Sequence, residues 1–211
     1  MLACSPPEQY DIILRNGTIV DGSGQAAYVG DVGIRGEQIA ALGKLGNATS
    51  EQEIDLSDLV IAPGFINIHS HAQVEALPTA VNMLSQGVTT EIMNADGRSP
   101  LDIRQQMKSL DSAGLALNIG GMIGFNSVWG ETVGTEDKRP TEAQIKLMQA
   151  QIKQGLEDGA WGVSAGLDYV PGYYAKTSEV INVLKPFKDW KLVFSNHDRL
   201  TPESNFSSIA G

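Results

Sequence analysis

Hydrophobic and polar positions follow two different patterns along the chain, and the change falls at Pro63-Gly64. Before that point, short apolar runs alternate with polar residues and are separated by turn residues, which is typical of β-strands. The Asn-Gly pair at 16–17 and the Arg-Gly pair at 35–36 indicate hairpin turns. Residues 10–62 are therefore predicted to form a small β module, with strands at 11–15, 18–20, 28–34, 38–42, 53–55 and 59–61.

Beyond that point, short apolar strands alternate with amphipathic helices. Strands are predicted at 65–68, 88–93, 115–119, 161–164 and 192–197. Helices are predicted at 75–86, 101–112, 141–159 and 178–190, and Pro186 kinks or shortens the last one. This alternation predicts an α/β fold with a parallel sheet. A doubly wound sheet and a (β/α)8 barrel both fit, although no glycine-rich dinucleotide-binding turn follows the first strand.

Composition excludes several classes of protein. The net charge is −10 and no basic stripe is visible, so a nucleic-acid binder is not expected. No apolar run approaches the roughly 20 residues of a membrane span. Residues 1–9 are polar and are expected to form an unstructured leader. Cys4 is the single cysteine and follows a small residue, as at the end of a bacterial lipoprotein signal, so localisation stays open between cytoplasm and a periplasmic lipoprotein.

The chain has three histidines, and two of them lie together at the end of the first strand of the α/β part. His69 and His71 are separated by one residue, so on a strand their side chains point to the same face. The carboxyl ends of parallel strands are where such folds build their sites. The pair therefore suits one metal ion, with a pair of surface histidines as the alternative.

Several segments carry a resemblance to a known family. Residues 62–71, Ala-Pro-Gly-Phe-Ile-Asn-Ile-His-Ser-His, resemble the signature of the amidohydrolase superfamily, and residues 13–22, 31–34 and 38–43 resemble its β-sandwich lead-in. Residues 86–90, 159–167 and 169–172 resemble N-acyl-D-amino-acid deacylases. The resemblance implies a small β-sandwich module over 10–62, followed over 63–211 by a partial (β/α)8 TIM-type barrel of about five strands. It covers only the N-terminal part of such an enzyme.

The resemblance also implies a metal centre. His69, His71 and His197 match family ligand positions, and Asp96 stands where these deacylases carry a metal-binding cysteine. The implied cofactor is one or two divalent ions, zinc first, although a carboxylate binds zinc less tightly than a thiolate. Two alternatives stay open: Asp96 caps the following helix, or Glu91 is the carboxylate ligand instead.

The implied substrate is a small molecule, an N-acyl amino acid. Tyr169 and Tyr173 lie in the loop after the fourth barrel strand, which the family uses in its substrate pocket, although packing alone explains aromatic residues there equally well. Trp129 is a further candidate for the mouth of the site. The family's general-base aspartate is expected beyond residue 211, so the catalytic residue is unknown.

The implied activity is metal-dependent hydrolysis of the amide bond of N-acyl-D-amino acids. The chain alone is expected to be inactive, and its open strand edges predict association into oligomers. Alternatives are a dihydroorotase-like cyclic amidase, a non-catalytic scaffold with the same fold and, more distantly, a nucleotide binder.

Overall fold

The computed structural model describes residues 7–199, so Cys4, with the localisation that depends on it, and most of the predicted leader lie outside the described residues. The chain divides into two compact units between Gly64 and Phe65. Within residues 7–199, no helix has both the length and the apolar character that crossing a membrane requires.

The first unit is a five-stranded sheet in the order β3-β2-β1-β4, with β5 also paired to β1. Its strands β1 to β3 are antiparallel neighbours, whereas β4 and β5 run parallel to β1. Apolar side chains of β1 and β2, among them Ile13 and Val32, are buried. The strands are β1 (Gln9–Ile19), β2 (Tyr28–Arg35), β3 (Gln38–Gly43), β4 (Thr49–Asp55) and β5 (Val60–Ile61).

The predicted hairpin at residues 16–17 is wrong, because β1 runs through the Asn-Gly pair as one strand. Asn16 takes a left-handed φ of 62°, and the register with β2 shifts between Leu14 and Gly17, which marks a bulge. The backbone N–H of Asn16 donates to Asp31 and its side chain donates to Asp55, so the pair is bonded to both neighbouring strands. The predicted hairpin at 35–36 is confirmed by the pairing of β2 with β3.

The second unit contains only parallel strand pairs among its described residues, which confirms the predicted parallel α/β arrangement. One ladder has the order β6-β7-β8 and another has the order β9-β10-β11. Met122 alone separates β8 from β9, so one stretch of chain pairs with β7 and then with β10. The strands are β6 (Phe65–Asn67), β7 (Val88–Met93), β8 (Asn118–Gly121), β9 (Ile123–Gly124), β10 (Gly162–Gly166) and β11 (Val193–His197).

Helices connect these strands. The helix predicted at 141–159 is confirmed, with a capping box between Thr141 and Gln144. Short 3₁₀ turns lie at Val74–Ala76, Gly172–Tyr174 and Lys185–Phe187. The α-helices are α1 (Val81–Leu84), α2 (Ile103–Ala113), α3 (Phe125–Thr132), α4 (Glu142–Glu157) and α5 (Thr177–Leu184).

Two helices depart from the prediction. The helix predicted at 75–86 is reduced to a 3₁₀ turn and the four-residue α1. Pro78 lies between them and has no N–H to donate, and Ala80 takes a positive φ of 40°. Helix α5 gives way to a 3₁₀ turn at Lys185, next to Pro186, before residue 190.

Helix α3 was not predicted, and it overturns the interpretation of Trp129. Phe125, Val128 and Trp129 are fully buried and are spaced three and four residues apart, so they form one helical face toward the core. Trp129 therefore does not line the mouth of a site. This core also includes Ile123 of β9, Val163 and Ala165 of β10, and Met148 of α4.

Candidate metal centre

The first two candidate ligands follow β6 directly. The N–H of Ser70 donates to the carbonyl of Ile92 at 3.0 Å, so this segment continues along β7. Ser70 is buried, whereas the flanking His69 and His71 are exposed and their ring centroids lie 5.2 Å apart. The two imidazoles thus lie together, although β6 ends at Asn67 and the histidines are not in a strand as predicted.

Asp96 lies in the loop after β7 and reaches both imidazoles. Its Oδ1 lies 3.1 Å from Nε2 of His69, and its Oδ2 lies 3.0 Å from Nε2 of His71. One ligand atom from each of the three residues falls within 4.8 Å of the others. Helix α2 is capped instead by Asp102, which accepts from the N–H of Gln105 at 2.8 Å. The capping alternative for Asp96 is therefore wrong.

His197 ends β11 and faces the same carboxylate at a longer distance. Its Nδ1 lies 3.9 Å from Oδ1 of Asp96, and its Nε2 lies 3.9 Å from Oδ2 of Asp168. About half of its side chain is exposed, against 22% for Asp96. Asp96 is thus the most buried member of the group and faces all three histidines.

The arrangement fits a cation. Oδ1 of Asp96 is buried and accepts no hydrogen bond, although an imidazole nitrogen lies beside it. A carboxylate oxygen without a donor is costly to bury, and a bound cation satisfies it. Imidazole nitrogen and carboxylate oxygen are also ligands that Zn²⁺ accepts. His69, His71 and Asp96 can therefore hold a divalent ion.

The loop that carries Asp96 is held by hydroxyl groups from two other strands. The N–H of Gly97 donates to the buried Oγ of Ser164 at 3.0 Å, and that hydroxyl donates to the carbonyl of Asn94. The hydroxyl of Ser195 donates to the carbonyl of Ala95 at 3.2 Å. These bonds fix the backbone on both sides of Asp96, so its carboxylate is presented in one place.

Tyr169 belongs to the site, whereas Tyr173 does not line it. The hydroxyl of Tyr169 donates to the carbonyl of Asp96, and its ring meets that of His197 edge to face at 5.5 Å. Burial, followed by the nearby Asp96 charge, raises the pKa of Tyr169 and keeps it a neutral donor. Tyr173 is 57% exposed and packs against Tyr174 instead.

The candidate ligands open onto a cleft of about 480 Å³ lined by His71, Asp96, Tyr169 and His197. Sequence reasoning missed Arg98, which also lines this cleft. The only feature of the sequence that pointed to Arg98 was its position two residues after the candidate ligand Asp96.

Two further polar residues lie near the ligands without joining them. Ser164 is buried in β10, and no sequence pattern marked its hydroxyl as a support for the Asp96 loop. Glu91, the rival carboxylate, is fully buried and accepts from the side chain of Asn67 at 3.0 Å. It is not part of the cluster formed by His69, His71 and Asp96.

The chain is similar to known proteins, although no protein-family profile matches it. The chain is 29% identical to D-aminoacylase of Alcaligenes xylosoxydans xylosoxydans, over 92% of its own length and 46% of the relative. It is similar to D-aminoacylases of the amidohydrolase superfamily over most of its length. N-acyl-D-aspartate deacylase from the same organism is 31% identical, over 86% of this chain and 42% of that relative.

Solved structures of the D-aminoacylase group are also similar. A crystal structure of D-aminoacylase has a TM-score of 0.80 and 30% identity, covering 90% of this chain and 46% of that one. N-acyl-D-glutamate deacylase from Bordetella bronchiseptica, complexed with zinc and a phosphonate mimic of the tetrahedral intermediate, has a TM-score of 0.83 and 27% identity. That match covers 92% of this chain and 46% of the deacylase. The chain thus spans less than half the length of these relatives.

Proposed function

We propose that this chain carries the metal centre of an amidase that removes the acyl group from N-acyl-D-amino acids. The observation that carries the proposal is the meeting of His69, His71 and Asp96 around a buried carboxylate oxygen that has no hydrogen-bond donor. The similarity to D-aminoacylases over most of the chain supports this substrate class. A dihydroorotase-like amidase and a non-catalytic scaffold are the competing functions.

His69, His71, Asp96 and His197 are the proposed ligands, with zinc as the first candidate. When bound by these residues, a divalent ion would supply the positive charge that polarises a scissile carbonyl and lowers the pKa of an attacking water. Because the two oxygens of Asp96 face different imidazoles, this carboxylate can serve one ion or lie between two. Asp96 would replace the thiolate that the resemblance led us to expect, which makes the site harder and less selective for zinc.

Tyr169 is proposed to have two roles, one in positioning the metal ligands and one in contacting the substrate. Its hydroxyl holds the backbone of Asp96 and its ring abuts His197, so it fixes the relative position of two ligands. The same ring lines the cleft, where it can contact the substrate. Tyr173 follows in the same loop and is exposed, so any contact it makes with a substrate lies outside this cleft.

The fold proposed for the whole protein follows from the strand order. We propose that β8 and β9 act as one strand, so that residues 63–211 supply the first five strands of a (β/α)8 barrel. Residues 10–62 would form part of a β-sandwich. Support comes from the parallel pairing of β6 through β11 and from the TM-score of 0.80 with D-aminoacylase.

The test is zinc-dependent ligand binding by the 211-residue chain. Zinc content is measured by mass spectrometry, and calorimetry then compares N-acetyl-D-leucine, its L-enantiomer and dihydroorotate. We expect bound zinc and zinc-dependent preference for the D-enantiomer. A chain that purifies and reconstitutes without stoichiometric zinc would favour the scaffold. Preference for dihydroorotate would favour the cyclic amidase, and equal affinity for both enantiomers would remove the D-amino-acid proposal.

A further inference from the structure

A second cavity adjoins the metal cleft. It has a volume of about 670 Å³ and lies between the 94–100 loop, the start of α3 and the turn at Val170-Pro171. Asn94 and Arg98 line both cavities, so the two spaces share a wall. Arg98 therefore borders both the space beside the candidate metal centre and this neighbouring cavity.

Arg98 is an unneutralised cation at this junction. Its guanidinium enters none of the ion pairs or hydrogen bonds found among residues 7–199, and its Cζ lies 5.7 Å from the ring centroid of Tyr169. The Asp96 carboxylate, two residues away, is directed at His69 and His71 instead. In a chain of net charge −10, such a guanidinium beside a cleft is available for an anion.

The backbone around Arg98 is anchored on both sides. On one side, the N–H of Gly97 donates to Ser164 at 3.0 Å. On the other, the N–H of Ser99 donates to Ser127 at 2.9 Å, and the hydroxyl of Ser99 accepts from the N–H of Gly124 at 2.8 Å. An arginine on a fixed backbone loses less conformational freedom on binding than one on a mobile loop, which favours affinity.

We propose that Arg98 binds a carboxylate of the substrate at the junction of the two cavities. The planar guanidinium matches a carboxylate with two parallel hydrogen bonds. This inference rests on the proposed function, because it takes the scissile amide to lie at the metal centre. Two carboxylates of an N-acyl amino acid could meet Arg98: the α-carboxylate, or one on the side chain that enters the neighbouring cavity.

Two pairs of matched ligands distinguish the α-carboxylate from the side-chain carboxylate. N-acetyl-D-leucine and its amide differ only in the α-carboxylate, whereas N-acetyl-D-glutamate and N-acetyl-D-glutamine differ only in the side-chain charge. Calorimetry gives the affinity of the zinc-loaded chain for each ligand, in the wild type and in Arg98→Gln, Arg98→Lys and Arg104→Gln. Arg104 is a matched control, because it is exposed, pairs with Asp158 and does not line either cavity.

We expect the wild type to prefer the charged member of one pair at least about tenfold, the difference that a hydrogen bond to a charged group makes. Arg98→Gln should abolish that preference, Arg98→Lys should keep part of it and Arg104→Gln should keep all of it. A preference for N-acetyl-D-leucine over its amide would show that Arg98 binds the α-carboxylate. A preference for N-acetyl-D-glutamate over N-acetyl-D-glutamine would show that it binds the side-chain carboxylate.

Two results would overturn the inference, and they are distinguishable. If the wild type binds these ligands but shows no preference in either pair, or if Arg98→Gln keeps the preference, the assignment of Arg98 fails while the proposed function stands. If the zinc-loaded wild type binds none of the four ligands, the proposed function fails and the inference falls with it.

Discussion

Nε2 of His69 lies 3.1 Å from Oδ1 of Asp96, yet that buried oxygen accepts no hydrogen bond. Nε2 of His71 lies 3.0 Å from the other oxygen of the same carboxylate. Both imidazoles therefore direct ring nitrogens at one anionic group, and no backbone N–H of residues 7–199 donates to it. A divalent ion between these atoms would satisfy the carboxylate and both rings at once.

The first prediction concerns the charge of Asp96. Asp96→Asn keeps the shape of the side chain but removes the anion, so we expect zinc affinity to fall by more than the roughly 10–100-fold that loss of an outer-shell partner costs. Competition with a zinc chelator measures the dissociation constant.

Asp102→Asn is the matched control, because Asp102 caps α2 and asparagine caps as well as aspartate. It should leave both zinc affinity and the unfolding midpoint close to wild type. If Asp96→Asn binds zinc as tightly as this control does, Asp96 is not a ligand.

The second prediction concerns metal preference. Asp96→Cys replaces a hard oxygen ligand with a soft thiolate, so zinc should bind more tightly and Mn²⁺ more weakly than in the wild type. Titration of the chain with each ion gives the ratio of the two dissociation constants. An unchanged ratio, with the cysteine thiol still free to react with a thiol reagent, would place this side chain away from the metal.

The sequence predicts the contacts of the site that form between residues close together along the chain, and it does not predict those between residues far apart along the chain. The closeness of His69 and His71 was predictable from their spacing of two residues, a local signal, although β6 itself ends at Asn67. The approach of Asp96 came from family resemblance, because its loop and β6 are apart in sequence. The support from Ser164 could not be predicted, since a hydroxyl 67 residues from Gly97 leaves no pattern in sequence.

The same difference between local and long-range contacts explains which elements of the fold were predicted correctly. The helix over Glu142–Glu157 was predictable because its cap and its apolar face are both local signals. The pair Asn16-Gly17 was misleading: the chain forms a bulge within a long strand there, where the backbone N–H of Asn16 donates to Asp31 and its side chain donates to Asp55. Those partners lie on other strands, so tertiary contacts decided the outcome.

The third prediction is that the hydroxyl of Ser164 stabilises the ligand loop. Ser164→Ala leaves the N–H of Gly97 buried without an acceptor, which should lower the free energy of unfolding by about 1–3 kcal/mol. Zinc affinity should fall as well, since Asp96 precedes Gly97 directly. Chemical denaturation measures the first effect and chelator competition measures the second.

The control is Ser112→Ala, because Ser112 is exposed and its hydroxyl bonds only within α2. This change should alter the free energy of unfolding by a few tenths of a kcal/mol. If Ser164→Ala and Ser112→Ala have the same free energy of unfolding and the same zinc affinity, the buried hydrogen bonds of Ser164 do not hold the loop.

The fourth prediction concerns acid stability of the first unit. Burial by itself would raise the pKa of Asp31, but bonds from the backbone N–H groups of Asn16 and Leu45 and from Arg15 outweigh it and lower the pKa below its usual 3.8. A lowered pKa means that Asp31 stabilises the fold fully above about pH 4, and that this contribution disappears as the pH falls through the lowered value.

Asp31→Asn should therefore lower the free energy of unfolding by about 1.5–3 kcal/mol at pH 7 and flatten its dependence on pH below about pH 4. Denaturation curves between pH 2 and 7 measure both quantities. The control Glu51→Gln removes one exposed charge from β4. It should change neither the free energy of unfolding at pH 7 nor its dependence on pH. An equally steep acid transition in Asp31→Asn would assign the acid sensitivity to other carboxylates.

The last prediction separates backbone strain from crowding beside the metal centre. Gly97 and Gly114 share nearly the same φ, 82° and 83°. A Cβ on Gly114 would meet nothing within 4 Å, whereas one on Gly97 would lie 2.4 Å from the Asn126 side chain and 2.5 Å from the backbone nitrogen of Gly166. Both alanine variants should lose about 1–2 kcal/mol to the left-handed conformation, and Gly97→Ala about 1–3 kcal/mol more. Because the loop must shift, zinc affinity should fall only in Gly97→Ala. Equal destabilisation with equal zinc affinity would mean that the loop carrying Asp96 tolerates displacement, and that its close packing against β10 does not position the ligand.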